Sequence, residues 1–382
     1  RLLQRTCAPA ESPVTDRDSL RPEALALAMS SFLYAPFPLA CADASLHSAQ
    51  LLGSAVLGFG AGLLWVAQGS LLTACTTEAN RGRWSGVFWA SFMGGNAAGN
   101  FASSALVQAT SVPTMFVVLS AVAALSSLSF ALLVRPRRAA APSIEGGHDV
   151  LLSDAPPPPA ASLADDLRAL CGVLREPSTR CLLPVLLFIG AENAFWGGEF
   201  ATLVSRLGAA NSVGLVEGTV ALSDALCSVA AGALIDQRAP RAALSAGLVC
   251  FIAGLVVVCY DLVPRLGTDG DAESGDEGGA ALPPSVFFAA ALIGAGDGAA
   301  NTVVLSRLGS LADSAGLLPR ETAFQYFQVA NVAMTALAFL YAPLTPLDPT
   351  ATVQVQPLLL TILAVCGGIC FYAGGTRRAS GL

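Results

Sequence analysis

The sequence predicts an all-α, polytopic membrane protein, and three observations carry that reading: composition, the recurrence of long apolar stretches, and the placement of basic residues. Hydrophobic residues make up 54% of the 382 positions and charged residues only 12%. A soluble domain of this size cannot hide so much apolar surface in a core, so the excess has to face lipid. A hydrocarbon layer of about 30 Å is crossed by about 20 mostly apolar residues in helical form. Open sheets are excluded because lipid offers no partner for their edge N–H and C=O groups.

Ten stretches of this kind occur, at roughly 23–40, 48–71, 85–106, 112–134, 182–204, 212–234, 240–260, 284–305, 321–342 and 354–374. All 20 basic residues are arginine. With the N-terminal segment placed in the cytoplasm, 18 arginines fall on the cytoplasmic side and only Arg206 and Arg265 fall outside, the asymmetry that orients helices in a bilayer. The expected protein is multi-pass, with both termini cytoplasmic. The net charge of −7 comes partly from the Gly- and acid-rich stretch Asp269 to Glu277, which reads as a solvated external loop and says nothing about partners.

Several function classes fall away. Ten cysteines would suggest a disulfide framework in a secreted domain, but Cys227, Cys250, Cys366 and Cys370 lie inside spans and read as small packing residues. The only histidines, His47 and His148, are both in loops, so no zinc or haem centre is expected. No cofactor, metal or nucleic acid is expected, and the absence of a nucleophile–base constellation argues against an enzyme. GAGDGAAN (294–301) lacks the third glycine of a dinucleotide fingerprint and follows no strand. The chain begins with arginine and shows no signal-peptide order, so it reads as a fragment.

The longest interior break, Arg135 to Arg180, divides the spans into four before and six after. Its tetraproline, Pro156 to Pro159, in an Ala- and Ser-rich stretch marks a linker. Ser162 and Asp165 have capping-box-like spacing, and Leu163, Leu167, Leu170 and Leu174 recur at helical intervals, which predicts a short amphipathic helix along the cytoplasmic face. The expected division is 1–134, a four-span bundle; 135–180, the linker with that helix; and 181–382, a six-helix bundle.

The run Gly58 to Asn100, GFGAGLLWVAQGSLLTACTTEANRGRWSGVFWASFMGGNAAGN, resembles the uncoordinated-93-like family of the major facilitator superfamily. Trp65, Gln68, Glu78, Gly82, Arg83, Ser85, Gly86, Phe88 and Trp89 carry the likeness. GAENAFWGGEFATLV (190–204), VALSDALCSVAAGALID (220–236) and IGAGDGAANTVVLSRLGSL (293–311) are similar to that family's seventh, eighth and tenth helices. The resemblance implies a twelve-helix fold of two six-helix halves, of which about ten helices are present here, with two more expected before Arg1. It also implies either solute transport or regulation of a channel or receptor, since the family includes ion-channel regulatory subunits and trafficking factors.

Independently of that likeness, polar residues at membrane depth point to function, because an Asp at a helix centre costs about 2.5–3.5 kcal/mol on insertion scales. Glu192 is mid-span with Glu199 two turns along; Glu217 and Asp224 repeat that spacing; Asp297 and Asn301 form an i, i+4 pair. Glu199 and Glu217 are expected near the outer interface, whereas Glu192, Asp224 and Asp297 are candidates for binding solute or a coupling ion. Asn96 and Asn100, beside the Gly95–Gly99 pair, predict close helix packing with an interhelical hydrogen bond, although Asn96 remains a site candidate. Gln325, Gln328 and Asn331 form a drifting polar stripe, from which Gln328 and Asn331 are candidates. Trp65 and Gln68, one turn apart, complete the set, with packing as the plainer role for the tryptophan.

Asp236, Arg238 and Arg241 in GALIDQRAPR resemble the superfamily's G-x-x-x-D-R-x-x-R loop, with Gln237 interposed, and would latch helix ends in an outward-open state. Two functional readings follow: a secondary transporter of an unknown solute by alternating access, coupled to a proton or cation, or a non-transporting scaffold that binds a channel or receptor. The orientation is directly testable. A thiol introduced by Gly146→Cys is expected to be shielded from an impermeant reagent in intact cells and labelled after permeabilisation; labelling in intact cells would overturn the arginine argument.

Overall fold

The computed structural model describes residues 21–132, 163–209, 212–266, 282–313, 320–344 and 349–376. These residues are almost wholly helical. The first group comprises α1 (Arg21–Phe32), α2 (Pro36–Cys41), α3 (His47–Cys75), α4 (Arg81–Ala109) and α5 (Val112–Ser127, extended by a 3-10 turn to Leu132). After α6 (Leu163–Val173) come α7 (Leu183–Ala194), α8 (Val213–Asp236), α9 (Pro240–Val257), α10 (Pro284–Asp313), α11 (Arg320–Leu344) and α12 (Pro349–Thr376).

Local chemistry explains several boundaries. Proline opens the first turn of α5, α7 and α9, where its missing N–H has no intrahelical partner to lose. At α5 the preceding Ser111 accepts from the Thr114 N–H and caps the helix. Before α3, Asp43 accepts from the Ser45 hydroxyl at 2.7 Å and the Ser45 N–H at 2.9 Å, and these bonds hold its carboxyl below the usual carboxylate range.

Among the described residues, eight helices are long and apolar enough to cross a membrane. Helix α4, with 29 residues, is long enough but more polar than those eight. The expected span 23–40 is instead two helices, α1 and α2, broken at Leu33–Ala35, where Pro36 at the start of α2 cannot donate to a continuing ladder. The predicted amphipathic helix is present as α6 and packs on α11, with Val173 buried but Leu174 40% exposed. The expectations for the tetraproline Pro156 to Pro159, for Gly146 and for the loop Asp269 to Glu277 lie outside the described residues.

Small residues set the packing. Helix α10 is the most enclosed span: 78% of its apolar window is buried, against 11% for α3. On one side Gly294 and Gly298 lie against the α8 backbone at Val220 and Asp224; on the other, Gly296 meets Gly247 and Phe251 of α9. In turn α8 presents its far side to α4, where Gly86 abuts the Ser228 carbonyl and Gly232 abuts the Gly82 carbonyl. Lipid removes the hydrophobic incentive for helices to associate, so close van der Waals contact has to supply it. The helices therefore run in the order α4, α8, α10, α9, joined through glycine at each contact.

A methyl group at Gly298 would strike the Asp224 carbonyl, whereas one at Gly62 would meet nothing within 4 Å. Gly298→Ala is expected to destabilise the protein by about 1–3 kcal/mol, while Gly62→Ala should be neutral or slightly stabilising through helix propensity. Thermal unfolding in detergent compares the two directly; equal melting temperatures would refute the packing account.

Candidate functional site

Three carboxyl groups converge deep in the protein, on three neighbouring helices. Glu192 lies on α7, Asp224 on α8 and Asp297 on α10, with exposures of 0%, 0% and 1%. The Asp297 carboxyl lies close to both Glu192 and Asp224. Asn301, one turn along α10, donates to Asp297 Oδ1 at 2.5 Å. Asp224 accepts from Ser228 at 3.0 Å and from the Trp89 indole N–H at 3.3 Å.

Hydrogen-bond stereochemistry limits what this cluster can hold. An ionised carboxylate only accepts, and both Glu192 oxygens, Asp297 Oδ2 and Asn301 Oδ1 are buried without a donor. No arginine among the described residues bonds to any of the three acids. Like charges gathered in a buried, low-dielectric site repel one another. A proton or a cation satisfies both the repulsion and the missing donors. Immediately beyond Glu192, α7 passes into a π-helical stretch, Phe195–Phe200, a local unwinding often found beside functional sites.

The other candidates divide. Asn331 stands close by at the α7–α11 contact: its carbonyl abuts Gly190, and Thr335 bonds both to it and to the Gly190 carbonyl. Gln328 is half-buried on α11, and Gln68 on α3 has an unpartnered buried Oε1; no recorded contact brings either to the acids. Trp65 packs against Phe88, Trp89 and Phe92, with centroids 4.9–6.2 Å apart. Among the described residues, Asn96 bonds within its own helix, accepting from Asn100 at 2.6 Å, and nothing packs within 4 Å of Gly95 or Gly99. Glu217, near the start of α8, is 7% exposed, next to Gly218, which packs on Phe101 of α4, while Glu199 is half-buried.

At the arginine-bearing end, Asp236 does reach across. Its Oδ2 accepts from the Arg83 backbone N–H at 3.0 Å and its Oδ1 lies over Gly82, so it caps α4, whose own Asn80 supplies no side-chain cap. Arg81 is 2% exposed and donates to Ser310 of α10 at 3.2 Å. Arg238 and Arg241 do not share this contact. Arg238 is exposed at positive φ (63°) in the turn, and Arg241 points the other way, donating to the Tyr372 carbonyl at 3.1 Å.

Trp89 and Arg81 are the contacts that sequence reasoning missed, although Trp89 was already in the run that carried the family likeness. Residues 19–372 match the family described as ion channel regulatory protein UNC-93. The chain belongs to the UNC-93 family. It is 27% identical over 345 residues to the UNC93-like protein MFSD11 of Xenopus laevis, covering 84% of this chain and 73% of the relative. The match to MFSD11 of Xenopus tropicalis is also 27%, over 354 residues, covering 85% and 76%. Solved structures show the same fold. The E. coli fucose:proton symporter FucP superposes with a TM-score of 0.59 at 13% identity, covering 92% of this chain and 84% of that one. A bacterial homologue of the iron transporter ferroportin gives 0.61 at 12%, covering 93% and 84%. This UNC-93 family member therefore has the major facilitator fold and is a multi-span membrane protein.

The cap at Asp236 has a measurable consequence. Asp236→Ala is expected to cost about 0.5–2 kcal/mol by leaving the first N–H groups of α4 without an acceptor, and Asp236→Asn to recover most of it. Melting temperatures of the two variants check this; similar losses in both would point to the charge rather than the cap.

Proposed function

We propose that this UNC-93 family protein is a secondary transporter in which Glu192, Asp224 and Asp297 hold a coupling proton or cation. The observation that carries the reading is the convergence of three buried carboxyls, without an arginine partner, on three neighbouring helices. Ionisable groups at that depth are expensive and mark ion or solute pathways. Asp297 is central, because it reaches both other acids. Asn301 orients it through one oxygen and leaves the second open to an ion or proton.

Alternating access requires two bundles that rock about a midplane site. The Asp236 cap on α4 and the Arg81–Ser310 bond join the two bundles at the arginine-bearing end, which supports a latch that closes this end when the other is open. FucP was solved in an outward conformation and the ferroportin homologue in an outward-facing state, and the fold likeness supports the same assignment here. On this reading the partners are the bilayer and a small solute or ion. A second reading, a scaffold for a channel or receptor without transport, is favoured by the family's description as ion channel regulatory.

Flux into proteoliposomes containing the full-length protein separates the two. Saturable uptake that follows a proton or cation gradient is expected for a transporter, and its absence leaves the scaffold. Asp297→Asn keeps size and hydrogen bonding but cannot titrate. The folded variant should lose gradient-driven uptake by at least about tenfold, and an unchanged pH and cation dependence would remove Asp297 from the coupling role.

A further inference from the structure

Glu217 is a buried acid outside the cluster around Asp297. It lies near the start of α8, at the end away from Asp236, and its Oε1 is buried without a hydrogen-bond partner. Two glycines bracket it. A Cβ at Gly214 would stand 2.9 Å from the Asn100 carbonyl oxygen and 3.1 Å from the Ser104 Cβ, and one at Gly218 would strike the Phe101 ring. Helix α8 is therefore pressed onto α4 both before and after Glu217. An ionised carboxylate held in so close a seam, with neither water nor a donor at that oxygen, is costly.

Neighbouring charge does not relieve it. Helix α4 is charged only at Arg81 and Arg83, at its far end, and α10 has no charged residue between Pro284 and Asp297. Along α8 itself the titratable groups are Asp224, two turns or about 10 Å away by helix rise, then Cys227 and Asp236. Helix α9 offers Arg241 and Cys250. Beyond it come Cys259, Tyr260 and Asp261, the last paired with Arg265 at 2.7 Å. The segment Ala201–Val204, which also packs on α8, is flanked by Glu199 and Arg206. Among the described residues, none of these is hydrogen-bonded to Glu217 Oε1. A metal cation asks for about six oxygen ligands, whereas a proton asks for one carboxylate, and one carboxylate is what this seam presents.

We propose that Glu217 is a second proton-binding site, at which the proton holds the Gly214–Gly218 end of α8 packed on α4 and its release lets that end separate. The neutral acid is compatible with the packed seam and the carboxylate only with a hydrated one, so packing is favoured at low pH and lost as pH rises. The site is separate from the acid cluster, and it stands whether or not the protein transports.

Thiol alkylation of the full-length protein in detergent, mapped by mass spectrometry, tests it. Ser104 is buried against Gly214, so a thiol introduced by Ser104→Cys reacts only when this end opens. The exposed native Cys171 gives a reference rate that removes the intrinsic pH dependence of thiolate chemistry. From about pH 5 to about pH 9 the relative rate at position 104 should rise about tenfold. Glu217→Gln, which keeps size but cannot ionise, should hold it at the low-pH level, and Glu217→Asp, which still ionises, should keep a rise. Should Glu217→Gln not fold, the unaltered protein provides the check. Dicyclohexylcarbodiimide, a lipid-soluble reagent that adds to protonated carboxyls, must then modify Glu217 at the low pH and not at the high one. A relative rate that does not change with pH, a rise that survives Glu217→Gln, a rise lost equally in Glu217→Asp, or no pH-dependent carbodiimide adduct overturns the proposal.

Discussion

Helix α8 has to be held on two faces at once, and the rest of the arrangement depends on that contact. On one face it meets α4 of the first bundle, backbone against backbone at Gly86–Ser228 and Gly82–Gly232; on the other it meets α10 at Gly294 and Gly298. Since lipid supplies no hydrophobic drive for helices to associate, the approach rests on removing side chains at the crossing and on polar bonds between helices. Asp224 sits between the two crossings. It takes a hydrogen bond from Trp89 of α4 and faces Asp297 of α10, so the acid cluster and the inter-bundle seam share one residue.

That sharing gives the two bundles a physical link. On the proposed reading, a proton placed on Asp224 would weaken the bond from Trp89, because an N–H to an ionised acceptor is roughly twice as strong as to a neutral one. The seam between α4 and α8 then differs in energy between the occupied and empty states. A ligand biases a conformational equilibrium only through such a difference. At the other end of the same seam Asp236 caps α4, so α8 contacts the first bundle through a carboxylate both at its midpoint and at its end.

How much of this was legible in the sequence depends on whether a feature is local or relational. Ten helical stretches could be read because apolar runs of membrane length are a property of contiguous residues, and only the first proved broken, at Pro36. Glu192, Asp224 and Asp297 could be named because an acid in such a run is conspicuous wherever it points. Their convergence could not, since it depends on the rotation of three helices about their own axes. For Asn96 the helix crossing suggested by Gly95 and Gly99 has no counterpart among the described residues. Position along α8 could be read for Glu217, but not the direction around the helix that buries it.

The sequence alone determined that the chain is a polytopic helical membrane protein, because composition acts through solvation and needs no fold to be felt. It also determined the family likeness, carried by the run from Gly58 to Asn100. Only the tertiary structure decided which polar groups meet. Asp236 found the start of α4, Arg241 turned away to Tyr372, and Trp89 reached Asp224 across a distance of 135 residues in the chain. Hydrogen bonds act over about 3 Å, and contacts of that length follow from helix rotation and crossing, which the spacing of residues along one chain does not encode.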